Sequence, residues 1–168
     1  MFELKPISKD AVPAALAKAE RYRLLNEPVG AESICLDILE VDPENQDALV
    51  HLILSLTDQF PQRANEAFTA ARDLIPRLAS EYHRLYYGGI LFERRAQSRL
   101  GQGGPGAGVV AHDWYRQAME LYAKAAELRP EGEDASILRW NTCVRVLERH
   151  PELRPEHEEE GHYLLDAF

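Results

Sequence analysis

Apolar residues in this chain recur at three- and four-residue intervals, in blocks closed by proline, glycine or asparagine, and that spacing predicts helices along most of its length. Ala14, Ala15, Leu16, Ala19, Tyr22 and Leu25 mark a first helix, with Ser8 or Asp10 as its cap and Asn26-Glu-Pro28 as the turn that follows. Ala31, Ile34, Cys35, Ile38 and Leu39 mark a second, stopped at Asp42-Pro43. Asn45 is placed to cap a third, with Asp47 in its first turn and Leu49, Leu52, Ile53 and Leu56 along one face. A fourth opens at Phe60-Pro61 and turns Ala64, Ala67, Phe68, Ala71, Leu74 and Ile75 to a core. The fifth starts near Ser80 and carries Leu85, Gly88, Gly89 and Phe92. Glycine inside a helix costs about 1 kcal/mol of propensity, so this pair is expected where another backbone comes close. The sixth is drawn by Trp114, Ala118, Leu121, Tyr122, Ala125 and Leu128, and a seventh, from about Glu133 to Arg149, by Ile137, Trp140, Val144 and Leu147.

One finer spacing recurs inside these helices. In the sixth, Ala118 is followed by Tyr122, Ala125 and Pro130; the fourth repeats the intervals as Ala64, Phe68, Ala71 and Pro76, and the second as Ala31, Cys35, Ile38 and Pro43. A helical pair whose second member carries a small residue, an aromatic, a small residue and a closing proline resembles the tetratricopeptide (TPR) family, whose unit is about 34 residues. The resemblance covers roughly Ala11 to Arg149 and is most specific in the second helix of each pair. It implies an all-α fold: a right-handed α-solenoid of three TPR-like hairpins, about residues 10–43, 45–78 and 80–130, with a C-terminal cap helix at 133–149, all in one domain of residues 1–150. It also implies a concave groove, lined by the first helices, that receives an extended peptide or a helix of a partner protein. In the subset of this family that grips the terminal carboxylate of chaperone tails, the gripping slots hold Lys, Asn and Arg. Here they hold Leu16, Glu20, His51, His83 and Tyr87, so that ligand is not implied.

The interval from Pro43 to Pro76 is 33 residues and that from Pro76 to Pro130 is 54. Against the family unit, the third hairpin therefore carries about 20 extra residues. They lie in Glu93 to Leu100, the glycine-rich Gly101 to Gly108, and Val109 to Asp113. Such a glycine run is not a helix interior, which predicts a long flexible tip on arms extended by a turn or more.

Composition narrows the function. At 168 residues and 45% apolar, the chain has material for one ordinary folded domain. Its formal charge of −9 opposes nucleic acid as a partner, because that affinity rests on neutralising phosphates. No apolar run approaches the roughly 18 residues of a membrane span, and no membrane partner is expected. Cys35 and Cys143 fall on apolar faces and read as buried free thiols of a cytoplasmic protein rather than a disulfide or a nucleophile.

Gly101 to Gly108 lacks the preceding strand and the Gly-Lys-Ser/Thr ending of a phosphate loop, and His157 and His162 stand five apart across Gly161, the wrong spacing for a zinc pair on one helical face. No catalytic, cofactor-binding or metal-ligating residue is assigned. The function expected is a non-catalytic protein–protein interaction module, a scaffold or adaptor, with Tyr86, Tyr87, His83, Arg94, Arg95, Arg139 and Arg145 as partner-binding candidates. Two alternatives stand beside it: a holder of apolar client segments similar to the secretion chaperones of this family, and a small-molecule or metal-dependent activity using histidines such as His51 and His83. The segment 151–168, acidic and then apolar, is expected either to dock on Arg94, Arg95 and Arg99 of its own or a neighbouring molecule, making a homo-oligomer, or to be a disordered terminus.

Overall fold

The computed structural model describes residues 2–155, and among them every regular element is helical. The seven helices are α1 (Val12–Leu24), α2 (Pro28–Val41), α3 (Gln46–Thr57), α4 (Phe60–Leu74), α5 (Glu81–Gln102), α6 (Ala107–Leu128) and α7 (Ala135–Arg149). Each packs against the next in sequence, and α1, α3 and α5 also touch one another in turn. The first helices of the three pairs therefore lie side by side.

Local chemistry sets most of the boundaries. The Asn45 side chain accepts a hydrogen bond from the Ala48 amide at 2.9 Å, and Ser80 Oγ accepts one from the His83 amide at 3.4 Å. Pro13, Pro28 and Pro61 sit in the first turns of their helices, where an amide hydrogen would have had no partner. The expected cap of α1 is different: Ser8 precedes a short 3-10 turn, Lys9–Ala11, makes no side-chain cap, and hands the helix start to Val12.

Most of the recurring small-aromatic-small positions are where the core forms: Ala31, Cys35, Ile38, Ala71, Ala118, Tyr122 and Ala125 are all fully buried. Ala64 is half-buried, and Ala67, outside the recurrence, takes a fully buried place in α4. Phe68 is half-buried between Phe60 and Phe92, at ring-centroid distances of 6.2 and 5.6 Å. In α4 the backbone breaks helical geometry at Arg63 (φ −141°, ψ 53°), which detaches the Phe60-Pro61 turn from the regular helix that follows.

Three expectations are corrected. Leu25 is 61% exposed, because α1 ends one residue earlier and the turn lifts it off the core. Trp140 is 38% exposed rather than on the packed face of α7, which turns Ser136 and Cys143 fully inward and leaves Leu138 and Trp140 at its open side. The glycine-rich tip is short: Gly101-Gln102 completes α5, Ala107-Gly108 opens α6, and only Gly103 to Gly106 make the turn. Positive φ at Gly103, Gly104 and Gly106 closes that turn tightly, so the surplus sequence lengthens the arms, each 22 residues, instead of the loop.

The paired glycines of α5 are a close-approach site, but what approaches is a ring and not a backbone. A Cβ on Gly89 would stand 2.4 Å from Cε1 of Tyr122, so the absence of a side chain is what lets α6 lay Tyr122 flat against α5. After α7 the chain folds back through a 3-10 turn, Pro151–Leu153, and buries Leu153 against Gly108 of α6. The expected docking of the tail falls on residues 156–168 and lies outside the described residues.

Candidate interaction surface

The layer made by α1, α3 and α5 brings several of the candidate residues together. On α5, Tyr82 and Tyr86 stack at 5.9 Å with their planes 12° apart, Tyr86 meets Tyr87 edge-on at 5.1 Å, and His83 meets Tyr87 at 5.8 Å. Residues three and four apart on one helix share a face, so this sequence spacing becomes a continuous aromatic strip. Leu54 of α3 and Tyr122 of α6 pack behind it. Tyr82 is buried, Tyr86 and Tyr87 are half-buried, and His83 is exposed. None of the three tyrosines is fully exposed.

The charges around the strip come from every neighbouring helix. Burial, and then the Arg23 guanidinium, hold His51 of α3 below the usual histidine range, while Glu20 and Asp47 act in the opposite sense. Burial and the adjacent Tyr86 push the Tyr87 phenol up to about 12. His51 therefore stays neutral near pH 7, and the Tyr87 phenol stays protonated. From α7, Arg139 lies beside the Tyr86 phenol and donates to Glu93 at 3.3 Å. Burial is the largest single effect and opposes the Arg139 charge, but Glu93, Tyr86 and Tyr122 together outweigh it and the net shift is upward. Arg145 is exposed one and a half turns further along α7.

Glu93 is a residue the sequence reading used only as a boundary. It is 1% exposed and accepts hydrogen bonds from the Tyr122 hydroxyl at 2.6 Å and from Arg139 and Gln97, each at 3.3 Å. The carboxylate joins α5, α6 and α7, and a charge buried with three donors is retained where a lone one would not be. Its place on the face of Gly89 and Ala96, four and three residues away, is the signal that marks it as inward-facing.

Arg94 and Arg95 lie about two turns beyond Tyr87 on α5 and are held by their own molecule. Arg94 pairs with Asp58, which also accepts from Arg23 at 2.8 Å, a ladder that ties α1, α3 and α5 together. Arg95 donates to the Ala64 carbonyl and to Asn65 Oδ1 at 2.5 Å, with its guanidinium 4.7 Å from the Phe68 ring and 5.0 Å from the Trp114 ring. Trp114 was read from the sequence as core; its contact with Arg95 could not be seen there, because the two lie on different helices.

Both thiols are fully buried, and burial first of all pushes each up to about 12. At neutral pH they are protonated and poor nucleophiles. Among the described residues no three His, Cys, Asp or Glu side chains are gathered to hold a metal ion, and no helix is long and apolar enough to cross a membrane. Comparison of the chain with family models, with curated proteins and with solved structures returned no match.

Proposed function

We propose that this chain is a non-catalytic protein–protein interaction module of the cytoplasm, a TPR-like right-handed solenoid of three hairpins with a cap helix. Its first-helix layer receives a peptide or helix of a partner protein. The observation that carries the reading is the side-by-side packing of α1, α3 and α5 with the His83–Tyr86–Tyr87 strip along it, flanked by Arg23, Asp47 and Arg139. Aromatic side chains already fixed by stacking bind with little further loss of rotamer freedom, which is the property of binding anchors. A second reading, a holder of apolar client segments, draws on Leu138 and Trp140, which α7 leaves exposed.

The test is photo-cross-linking in a lysate of the source organism, with a benzophenone side chain placed singly at exposed positions. His83 and Glu20 report on the first-helix layer, Thr69 and Lys124 on the second helices, and Leu138 on the open side of α7. The reading expects one protein captured from His83 and Glu20 and not from Thr69 or Lys124. Capture from Leu138 alone selects the client-holder reading, and equal labelling from all positions rules out both.

A further inference from the structure

The end of α5 remote from the tyrosines carries a second feature. Arg94 is level with Asp58 at the end of α3, so α5 runs on from there to Gln102, about 12 Å at 1.5 Å per residue, beside α4 alone on that side. The extra residues of the third hairpin build this arm. Arg95, Ser98, Arg99 and Gln102 recur at intervals of three and four, and hence share one face of it. With Asn65 and Trp114 they line an open cleft of about 580 Å³.

Two arginines without a carboxylate partner among the described residues line this one cleft. Arg23, Arg63, Arg94 and Arg139 each hold a carboxylate. Arg95 and Arg99 hold only neutral acceptors among the described residues: Ala64 O and Asn65 Oδ1 for the first, Gly103 O and Pro105 O for the second. Burial works against the Arg95 charge, and no acid opposes that effect. Between the two arginines, the Ser98 hydroxyl is buried with no hydrogen-bond partner among the described residues. Glu66, the one acid at the rim among the described residues, is taken by Arg63 at 2.9 Å. Two guanidinium groups with spare N–H donors, an unused hydroxyl and an indole face are a complete set of contacts for a carboxylate with an apolar neighbour.

We propose that this cleft binds an acidic peptide segment of a partner protein, seating a carboxylate on Arg95, Arg99 and Ser98 and an apolar side chain on Trp114. Its volume equals about 20 waters at ~30 Å³ each, which is far more than an inorganic anion fills. The site is separate from the first-helix layer, so either can fail without the other.

The experiment uses the full chain with Trp140→Phe, which leaves Trp114 as the sole tryptophan. The probe is an acetylated, amidated hexapeptide of glutamate pairs alternating with single leucines, titrated against Trp114 emission. Its glutamine counterpart and inorganic phosphate are the comparisons. Saturable binding of the glutamate peptide is expected, at least tenfold tighter than the glutamine peptide and at least tenfold weakened by Arg99→Gln. Ser98→Asp places a carboxylate where the ligand's would sit, and should abolish binding while leaving the melting temperature at or above the parent's; Gln102→Glu at the exposed rim should weaken binding in the same direction.

Equal affinity for the two peptides overturns the proposal, as does indifference to both carboxylate-introducing variants, or phosphate binding as tightly as the peptide. A chain with Glu156, Glu158, Glu159 and Glu160 all changed to Gln covers the remaining occupant. If the probe binds that chain at least tenfold tighter, the acidic segment of this chain is the ligand, and the assignment to a partner is wrong.

Discussion

Replacing Gly89 by alanine should destabilise this protein, whereas the same change at Gly88, one residue earlier in the same helix, should not. Alanine is favoured over glycine in a helix interior by about 1 kcal/mol, which acts alike at both positions. The surroundings differ. A Cβ at Gly88 meets Leu121 Cδ1 at 3.4 Å, an ordinary contact with the end of a flexible side chain. A Cβ at Gly89 meets three atoms of the Tyr122 ring at 2.4, 2.7 and 2.9 Å. That ring has nowhere to go, since Tyr122 is fully buried and its hydroxyl is bonded at 2.6 Å to Glu93, itself 1% exposed. Overpacking of this kind costs about 1–3 kcal/mol. If the ring moves enough to release Glu93, a hydrogen bond to a charged group worth about 1.5–3 kcal/mol is lost as well. Against the gain in propensity, Gly89→Ala should lose about 1.5–5 kcal/mol with the Glu93 bond released, and Gly88→Ala should gain up to about 1 kcal/mol. Urea unfolding followed by circular dichroism reads both, as shifts of the midpoint in opposite directions at unchanged slope. Gly89→Ala as stable as the parent, or both variants shifted together, would refute the close packing of α5 on α6.

Four further outcomes follow from other parts of the molecule. Cys35, Cys143, Tyr87 and Tyr115 are each pushed up to about 12 in the folded state, chiefly by burial, so the native protein keeps protons that the unfolded chain releases from about pH 9 upward; stability should be intact below that pH and fall steadily towards pH 12 in urea titrations at stepped pH. The same burial predicts that an aromatic disulfide reagent modifies neither thiol until urea unfolds the chain, and rapid modification of two thiols in the native protein would contradict it. Asn45→Ala removes the cap on Ala48 and should cost about 1 kcal/mol, seen as a lower melting temperature that Asn45→Ser largely restores. Asp58→Asn strips the shared partner from Arg23 and Arg94; as these groups are only 16–25% exposed, the loss should be about 1–2 kcal/mol and should shrink in high salt.

The helices were legible because their signals are local. Asn45 and Ser80 cap, Pro28 and Pro61 open, and the Ala118–Tyr122–Ala125 spacing turns inward, each within one or two turns of a single helix. The candidate residues were legible in part: His83, Tyr86 and Tyr87 do gather, because their spacing on one helix fixes their adjacency. Arg94 and Arg95 were grouped with them by charge alone, and the structure sets them about two turns further along α5 with partners of their own. Trp140 and Leu25 were misread as buried because periodicity ranks the faces of a helix without saying whether a neighbour covers the better one.

The order of amino acids by itself determined that this chain is helical, how many helices it has and most of the small residues that face inward, since those properties depend on contacts a few residues apart. Only the packed structure decided that Glu93 is the buried joint of three helices, that the glycine run shortens to a four-residue turn, and that Arg95 rests between Phe68 and Trp114 at the head of an open cleft. Those arrangements join residues on separate helices, and Glu93, Arg95 and Trp114 each have an amphipathic side chain whose burial depends on the partner it meets rather than on its own position in a pattern.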